Sequence, residues 1–372
     1  MGKADHFTDN SAVPIRFATM PSLYPYRAGV FIGRFQPYHL GHAQMLERAL
    51  ESVEVCIVVI GSAYQAPTPK NPFSWELRAQ MIRQNLTPEQ AERVAFLPLR
   101  DYYDGDRWAE ALRSGVAQTI DVPAGSVALV SHYKDASSAY LRWFPQWHTL
   151  ALPRQNAIDA TPLREAFFAR IEQGETPVRA LTDLHDAIPA GTLAVLEAWA
   201  GHTDNAQELT AEWRATRTYR ERWAQAPYPP ILVTVDIVVE CAGRVLIVER
   251  GGRPGKGCLA LPGGFLDEHE SLFAAALREL EEETGLRLDI SPARAALIDV
   301  QVFDHPDRDA RGRAITHAHR FSLPYDTPPE VVGSGDARAA RWMTLTEIAQ
   351  TEAAFYSDHF HILDRMCGVL PR

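Results

Sequence analysis

Two short stretches of the 372-residue sequence carry side chains whose types and spacing can do chemistry on phosphates. The first is Gly33-Arg34-Phe35-Gln36-Pro37-Tyr38-His39-Leu40-Gly41-His42, directly after an apolar, strand-like run. A glycine at a strand end admits a ligand to the backbone. A helix beginning near Gly41 presents unpaired N–H groups and the positive end of its dipole to an anion. On such a helix His39 and His42 share one face, so two imidazoles can donate to one polyphosphate, and Gly41 leaves room for it. The second stretch runs from Gly264 to Leu286, where Glu279, Glu282 and Glu283 stand at i, i+3 and i+4 and project from one helical face. Like charges packed in this way destabilise a helix unless a cation joins them. Hard oxygen donors that leave room for water and phosphate suit Mg²⁺, with Mn²⁺ as an alternative.

Neither pattern is decisive alone. A histidine pair three apart fits a core or a surface, and Glu-Leu-Glu-Glu-Glu fits a solvated helix. Context changes both readings. The histidines follow a strand and a Gly-Arg-Phe-Gln-Pro turn, and the glutamates share their helix with apolar Leu272, Phe273, Ala276 and Leu280 and are bounded by glycines. One face of that helix packs while the other presents carboxylates.

The elements that must position these residues follow from periodicity. Apolar runs at Gly29–Ile32, Glu54–Ile60, Val94–Leu97, Ser126–Val130 and His148–Leu152 alternate with helix-like stretches at Ala43–Ser52, Trp75–Gln84, Arg107–Ile120, Ala136–Trp143 and Pro162–Gln173. That alternation predicts βαβ crossovers and an open, doubly wound α/β (Rossmann-like) domain with its ligand beyond the strand ends. A helical segment with Leu193, Leu196, Trp199, Leu209 and Trp213 follows. Pro227-Tyr228-Pro229-Pro230 then stops helix and opens a strand-rich region. Strands are predicted at Ile231–Glu240, Arg244–Arg250, Ala296–Phe303 and Ala314–Pro324, with helices at Ser271–Thr284 and within Phe355–Met366. The expected organisation is an arm (1–27), an α/β domain (28–189), a helical connector (190–226) and an α+β domain (227–372).

Composition supports a folded protein of two domains. The length implies roughly 2.5 domains, and 46% apolar with 23% charged residues is globular. The excess of 47 acidic over 37 basic residues argues against duplex nucleic acid or an anionic membrane as partner. Any nucleotide site must therefore be locally basic. No apolar run reaches transmembrane length, and the first residues lack the order of a signal peptide, so a cytoplasmic protein is expected. The four cysteines share no CxxC spacing, which reads as structural thiols.

The segment Gly-Arg-Phe-Gln-Pro-Tyr-His-Leu-Gly-His resembles the nucleotidyltransferase superfamily with the HxGH signature, and within it the nicotinamide mononucleotide (NMN) adenylyltransferases. The resemblance extends to Asn71-Pro72-Phe73 with Arg78, although Leu77 stands where an acidic residue is usual. It also covers Arg100-Asp101, Trp108, Ser131-His132-Tyr133-Lys134-Asp135 with Ser137-Ser138, and Phe144-Pro145-Gln146-Trp147. Ile158-Asp159-Ala160-Thr161-Pro162-Leu163-Arg164 occupies the place of the ISxTxxR signature, with Asp159 replacing its serine. Asp before a proline near the helix start suits a capping role. The resemblance implies attack of the NMN phosphate on the α-phosphorus of ATP, giving NAD and pyrophosphate. His39, His42, Arg34, Thr161 and Arg164 would be at the phosphates, Gly33 and Phe35 in the substrate turn, and Asn71 at the nicotinamide. Trp75 and Trp108 are candidates for stacking on a base, although a tryptophan is more often core.

The spacing Gly264-x5-Glu270-x7-Arg278-Glu279-xx-Glu282-Glu283-x-Gly285 resembles the Nudix box without a departure. The resemblance covers about Tyr228–Arg372 and implies metal-dependent hydrolysis of a nucleoside diphosphate linked to another group. Glu279, Glu282 and Glu283 would bind the metal, and Arg278 would pair with Glu270 to hold loop and helix together. Asp336 is a candidate base from outside the box. Phe303-Asp304, Arg308-Asp309, Arg311-Gly312-Arg313, Ile315-Thr316-His317-Ala318 and Trp342 resemble ADP-ribose pyrophosphatases. That implies ADP-ribose as substrate, with AMP and ribose 5-phosphate as products. Alternatives stay open: a non-catalytic Nudix domain that senses ADP-ribose or NAD, nicotinate mononucleotide or pantetheine phosphate as acceptor, and a homo-oligomer.

Overall fold

A computed structural model of the chain describes residues 22–131, 142–153, 158–201 and 203–370. The described residues form two compact units. The first gathers those within 1–63, 73–167 and 176–202, and the second those within 64–72, 168–175 and 203–372. The boundary therefore passes through one helix, Ala160–Glu172, and sets the short segment 64–72 with the second unit.

In the first unit five parallel strands, β1 (Tyr26–Gly33), β2 (Val53–Ile60), β3 (Val94–Pro98), β4 (Val127–Ser131) and β5 (His148–Ala151), run in the order β3-β2-β1-β4-β5. This is a doubly wound sheet whose direction of winding reverses between β1 and β4, where a crevice forms beyond the strand ends. Helices α1 (Leu40–Leu50), α2 (Trp75–Arg83), α3 (Pro88–Glu92) and α4 (Gly105–Thr119) connect the strands. β2 is almost wholly buried, as its unbroken apolar run requires of a central parallel strand. Ile57 and Val59 of β2 meet Leu112 and Val116 of α4 in one core, and the intervening Val58 and Ile60 are equally buried. All five strands predicted from the sequence are present. The stretch predicted as helix at Ala136–Trp143 lies largely outside the described residues.

Helices α5 (Ala160–Glu172), α6 (Pro177–Ala180), α7 (Ala190–Ala200) and α8 (Thr203–Arg222) follow. α7 belongs to the first unit and α8 to the second.

The second unit is a mixed sheet in the order β10-β11-β6-β7-β12: β10 (Leu297–Phe303), β11 (Arg313–Leu323), β6 (Ile231–Cys241), β7 (Arg244–Arg250) and β12 (Ala337–Thr344). Short strands β8 (Leu259–Ala260) and β9 (Gly263–Phe265) pair with β7 and β6. Alternation along β6 separates two cores. Val235, Ile237 and Val239 pack with Ala275, Ala276 and Leu280 of α9 (Leu272–Thr284). Val238 packs with Phe360, Ile362 and Leu363 of a C-terminal helix, His359–Cys367, on the other face. Strand β12 escapes sequence reading because Ala-Arg-Ala-Ala-Arg-Trp-Met-Thr is poor in strand formers; antiparallel pairing with β7 decides its conformation.

Candidate active sites

In the first unit β1 ends at Gly33 and α1 begins at Leu40, so the turn between them lies at the mouth of the crevice. His39 is the N-cap of α1, in extended conformation and only 6% exposed. His42 is the third helical residue, and its Nδ1 accepts the His39 backbone N–H at 3.4 Å in a reciprocal capping arrangement. That acceptor role places the proton of a neutral His42 ring on Nε2. The two imidazoles stack with centroids 3.6 Å apart, and Phe35 meets His42 edge-on at 4.9 Å.

The two glycines also make room for side chains of the turn itself. A methyl at Gly33 would lie 2.7 Å from the Phe35 ring, and one at Gly41 would lie 3.2 Å from the His39 ring. The space they leave is taken up by those two side chains, so the glycines shape the turn from within.

Arg164 comes from α5. Its Nη1 donates to the Gln36 carbonyl at 2.6 Å and its Nη2 to Thr161 Oγ1 at 3.1 Å. Burial, and then the charge of Arg34 facing it, pushes the Arg164 guanidinium down to about 10, still cationic at neutral pH. Two guanidiniums that feel one another's charge make this turn locally basic in an acidic chain. Gln36 is itself fixed, because its side-chain amide donates to the Phe73 carbonyl (3.0 Å) and accepts the Phe73 N–H (3.1 Å). α5 starts at Ala160 rather than Pro162, so Asp159 directly precedes the first helical residue and Pro162 is the third. Trp108 packs edge-on against Trp143 and Phe144 beside the core, and so serves packing.

Sequence reading gives no role to Arg78, which is the largest fully buried side chain among the described residues. It donates to the carbonyls of Arg34 and Gly61 (2.7 Å each), Ser62 (3.1 Å) and Ser74 (3.2 Å). It thus ties the turn after β1 to the turn after β2. Arg78→Met should lower the unfolding free energy by about 3–5 kcal/mol, because buried carbonyls lose their donor. Chemical denaturation of the parent and variant chains checks this.

Asn71 lies in the segment grouped with the second unit. Its amide donates to Gln65 Oε1 at 3.0 Å, while its Oδ1 is buried with no hydrogen-bond partner among the described residues. His132 to Asp135, Ser137 and Ser138 lie outside the described residues.

In the second unit Ser271 caps α9 through the Ala274 N–H, and Gly285 ends it in the left-handed conformation (φ 68°). Arg278 binds Glu270 through two hydrogen bonds (2.6 and 3.1 Å) and donates to the Phe265 carbonyl at 3.1 Å, which fastens the loop to the helix. Its Nη1 also reaches Glu279 (2.8 Å) and Glu282 (3.0 Å). Glu270 is held below the usual carboxylate range by Arg278. A methyl at Gly264 would lie 2.2 Å from Glu279 Oε1, so only glycine lets that carboxylate lie against β9.

The donor set fits a divalent cation by its chemistry. Burial and neighbouring carboxylates raise Glu279 above its usual range and push Glu283 up to about 7. Glu283 Oε2 accepts the Gly263 N–H at 3.0 Å. Among the described residues no three acidic, His or Cys side chains already converge on one point, and Arg278 supplies the positive charge on that face.

The raised Glu283 has a testable sign. Between its ordinary 4.5 and about 7 the folded chain binds the extra proton, so this contribution to stability is complete below 4.5 and is lost as pH rises through 7. In chelator, Glu283→Gln should gain stability relative to the parent over that window. Thermal unfolding at stepped pH measures the difference, and a flat difference would count against a buried, protonating Glu283.

Beside Gly263 and Gly264 a pocket opens, bordered by Arg250, Arg308, Arg311 and Tyr356. Arg308 is buried and ion-paired to Asp358 (2.8 Å) and Asp236 (3.3 Å). The Leu261 N–H donates to His359 Nδ1 at 3.1 Å. Arg311 is gripped by Asp309 and half-buried, which removes it from the class of exposed solubilising residues. Asp236, Asp358 and His359 were not legible as site residues. The one signal was Asp236, a charge inside the apolar strand Ile-Leu-Val-Thr-Val-Asp-Ile-Val-Val. Asp336 is exposed, and its charge helps raise Glu283. The four cysteines are free thiols.

The cytidylyltransferase-like family matches residues 30–166, and the NUDIX domain family matches residues 230–366. A nicotinamide/nicotinic acid mononucleotide adenylyltransferase of Acinetobacter baylyi is 33% identical over 194 residues, covering 52% of this chain and 96% of that protein. An ADP-ribose pyrophosphatase of Methanocaldococcus jannaschii is 42% identical over 116 residues, 31% of this chain and 63% of that protein. The crystal structure of a bifunctional NMN adenylyltransferase/ADP-ribose pyrophosphatase from Francisella tularensis, complexed with AMP and a manganese ion, matches with a TM-score of 0.82 and 33% identity. It covers 92% of this chain and 99% of that one. With both domains matched in one chain over nearly the whole length of that enzyme, this protein belongs to the family of bifunctional NMN adenylyltransferase/ADP-ribose pyrophosphatases.

Proposed function

We propose that the first unit transfers the adenylyl group of ATP to NMN, giving NAD and pyrophosphate, and that the second hydrolyses ADP-ribose to AMP and ribose 5-phosphate. The observation that carries the reading is that each motif is folded for its chemistry. The two histidines cap a helix at the switch point of a doubly wound sheet, and the three box glutamates lie on one helix beside a glycine that only a close carboxylate explains.

In the transfer, an oxygen of the NMN phosphate forms a bond to the α-phosphorus of ATP as the bond to the leaving pyrophosphate breaks. Positioning and charge stabilisation carry most of such a rate. We assign His39, His42, Arg34, Thr161 and Arg164 to the phosphates, with Gly33 and Phe35 shaping the turn on which the nucleotide lies. The Gln36 bridge from Phe73 to Arg164 holds the guanidinium in place before substrate arrives. Asn71 is assigned to the nicotinamide carboxamide on the Asn71-Pro72-Phe73 motif.

In the hydrolysis, Glu279, Glu282 and Glu283 would hold the cation, proposed to be Mg²⁺. A bound divalent cation there supplies Lewis-acid polarisation of the phosphate and a more acidic water. Arg278 and Glu270 fix the loop against α9. Asp336 is the proposed base. Incubating the full chain with ATP and each of NMN, nicotinate mononucleotide and pantetheine phosphate, and separately with ADP-ribose and Mg²⁺, tests the proposal. Pyrophosphate release with NMN and AMP release from ADP-ribose support it; no release with NMN or with ADP-ribose overturns the corresponding half.

A further inference from the structure

The peptide that donates to Glu283 is also held from the C-terminal end of the chain. Leu261, Pro262 and Gly263 lead from β8 into β9, and because proline has no N–H this stretch has only the donors of Leu261 and Gly263. The Gly263 N–H goes to Glu283 Oε2 at 3.0 Å, and the Leu261 N–H goes to His359 Nδ1 at 3.1 Å. The Pro262 carbonyl between them accepts the Ile237 N–H of β6 at 2.8 Å. A methyl at Gly263 would lie 2.2 Å from the Val235 carbonyl oxygen, so the peptide lies tight against β6. Residues 355–359 run beside the same stretch. Phe355 is bridged to Leu259, and the Tyr356 N–H donates to the Leu259 carbonyl at 2.8 Å. His359 accepts only as a neutral imidazole with its proton on Nε2. Burial holds that ring below the usual histidine range, while the buried carboxylates Asp236 and Asp358 beside it pull the other way. Arg308 pairs with both carboxylates, at 3.3 and 2.8 Å, and so offsets their pull.

We propose that His359 is a positioning residue for the hydrolase: by holding the Leu261 N–H it fixes the Gly263 N–H, which in turn sets the Glu283 carboxylate for a divalent cation. This role rests on the hydrolase reading above and extends the site to a residue far outside the box. It also gives the buried group of Arg308, Asp236 and Asp358 a purpose, which is to keep an acceptor neutral inside the core.

The test uses the full chain with His359→Asn, whose Oδ1 can take the place of Nδ1, and His359→Leu, which keeps apolar bulk without an acceptor. Chains carrying carbonyl-13C proline and 15N glycine reveal the amides of Gly255 and Gly263, the glycines that follow a proline. Gly255 donates to Glu212 and serves as the reference. In chelator the Gly263 amide proton should move upfield in the Leu variant, as its hydrogen bond to Glu283 weakens, and stay in place in the Asn variant. Mn²⁺ binding without substrate, read by electron paramagnetic resonance, should weaken about tenfold in the Leu variant and recover in the Asn variant. An unmoved Gly263 signal or an unchanged Mn²⁺ affinity in the Leu variant overturns the proposal. So does equal weakening in both variants, the mark of packing alone. Nitrogen NMR of the unmutated chain needs no variant to fold: Nδ1 of His359 should be the unprotonated nitrogen, and a proton there overturns the proposal. If the parent chain binds no Mn²⁺, the hydrolase reading fails at its metal, while the Gly263 signal and the His359 tautomer still report on the positioning link.

Discussion

Replacing Glu283 by Gln is expected to lower AMP release from ADP-ribose by about 10³-fold while NAD formation from NMN and ATP continues. Glu283 is buried on α9, accepts the Gly263 N–H, and is raised toward 7 by burial and by Glu279 and Asp336. A carboxylate in that setting favours its charged form only when a cation is bound, so its negative charge and not its shape is what the site needs. Gln keeps the volume and can still accept from Gly263, which separates lost chemistry from lost structure. Unaltered AMP release in the variant would assign the turnover elsewhere. Tight ADP-ribose binding without turnover in the parent would favour the sensing role for this domain.

His42→Ala is expected to lower pyrophosphate release by about 10²–10³-fold with ADP-ribose hydrolysis intact, the usual cost of removing one donor aimed at developing phosphate charge. His42 also accepts the His39 N–H and so caps α1. The companion variant His42→Gln separates these roles. Gln at the third helical position can accept the same N–H but brings no imidazole. Both variants should lose transfer, and the Gln variant should keep the thermal stability that Ala forfeits. Restored activity in the Gln variant would reduce His42 to a cap.

The two motifs were legible because each is local. The Glu279, Glu282 and Glu283 spacing fixes a helical face, and the capping signals Ser271 and Gly285 fix where that helix begins and ends. The five parallel strands were legible for the same reason, since each is an apolar run bounded by turns. What was lost is what acts across the chain. Arg78 shares a helical stripe with Met81 and Ile82, so its position reads as core, and only the fold shows the turns it joins. Gln36 is visible as a motif residue, but its bridge spans Phe73 and Arg164, 37 and 128 residues away. The packing role of Gly33 and Gly41 is not legible, because the rings that fill their space are placed by the turn itself.

The central claim is that one chain carries two separate phosphorus chemistries, and phosphorus NMR of the full chain tests it most directly. With ATP, NMN and Mg²⁺ the spectrum should gain the signals of NAD and pyrophosphate, and with ADP-ribose and Mg²⁺ those of AMP and ribose 5-phosphate. A chain that leaves either substrate set unchanged under these conditions would contradict the account.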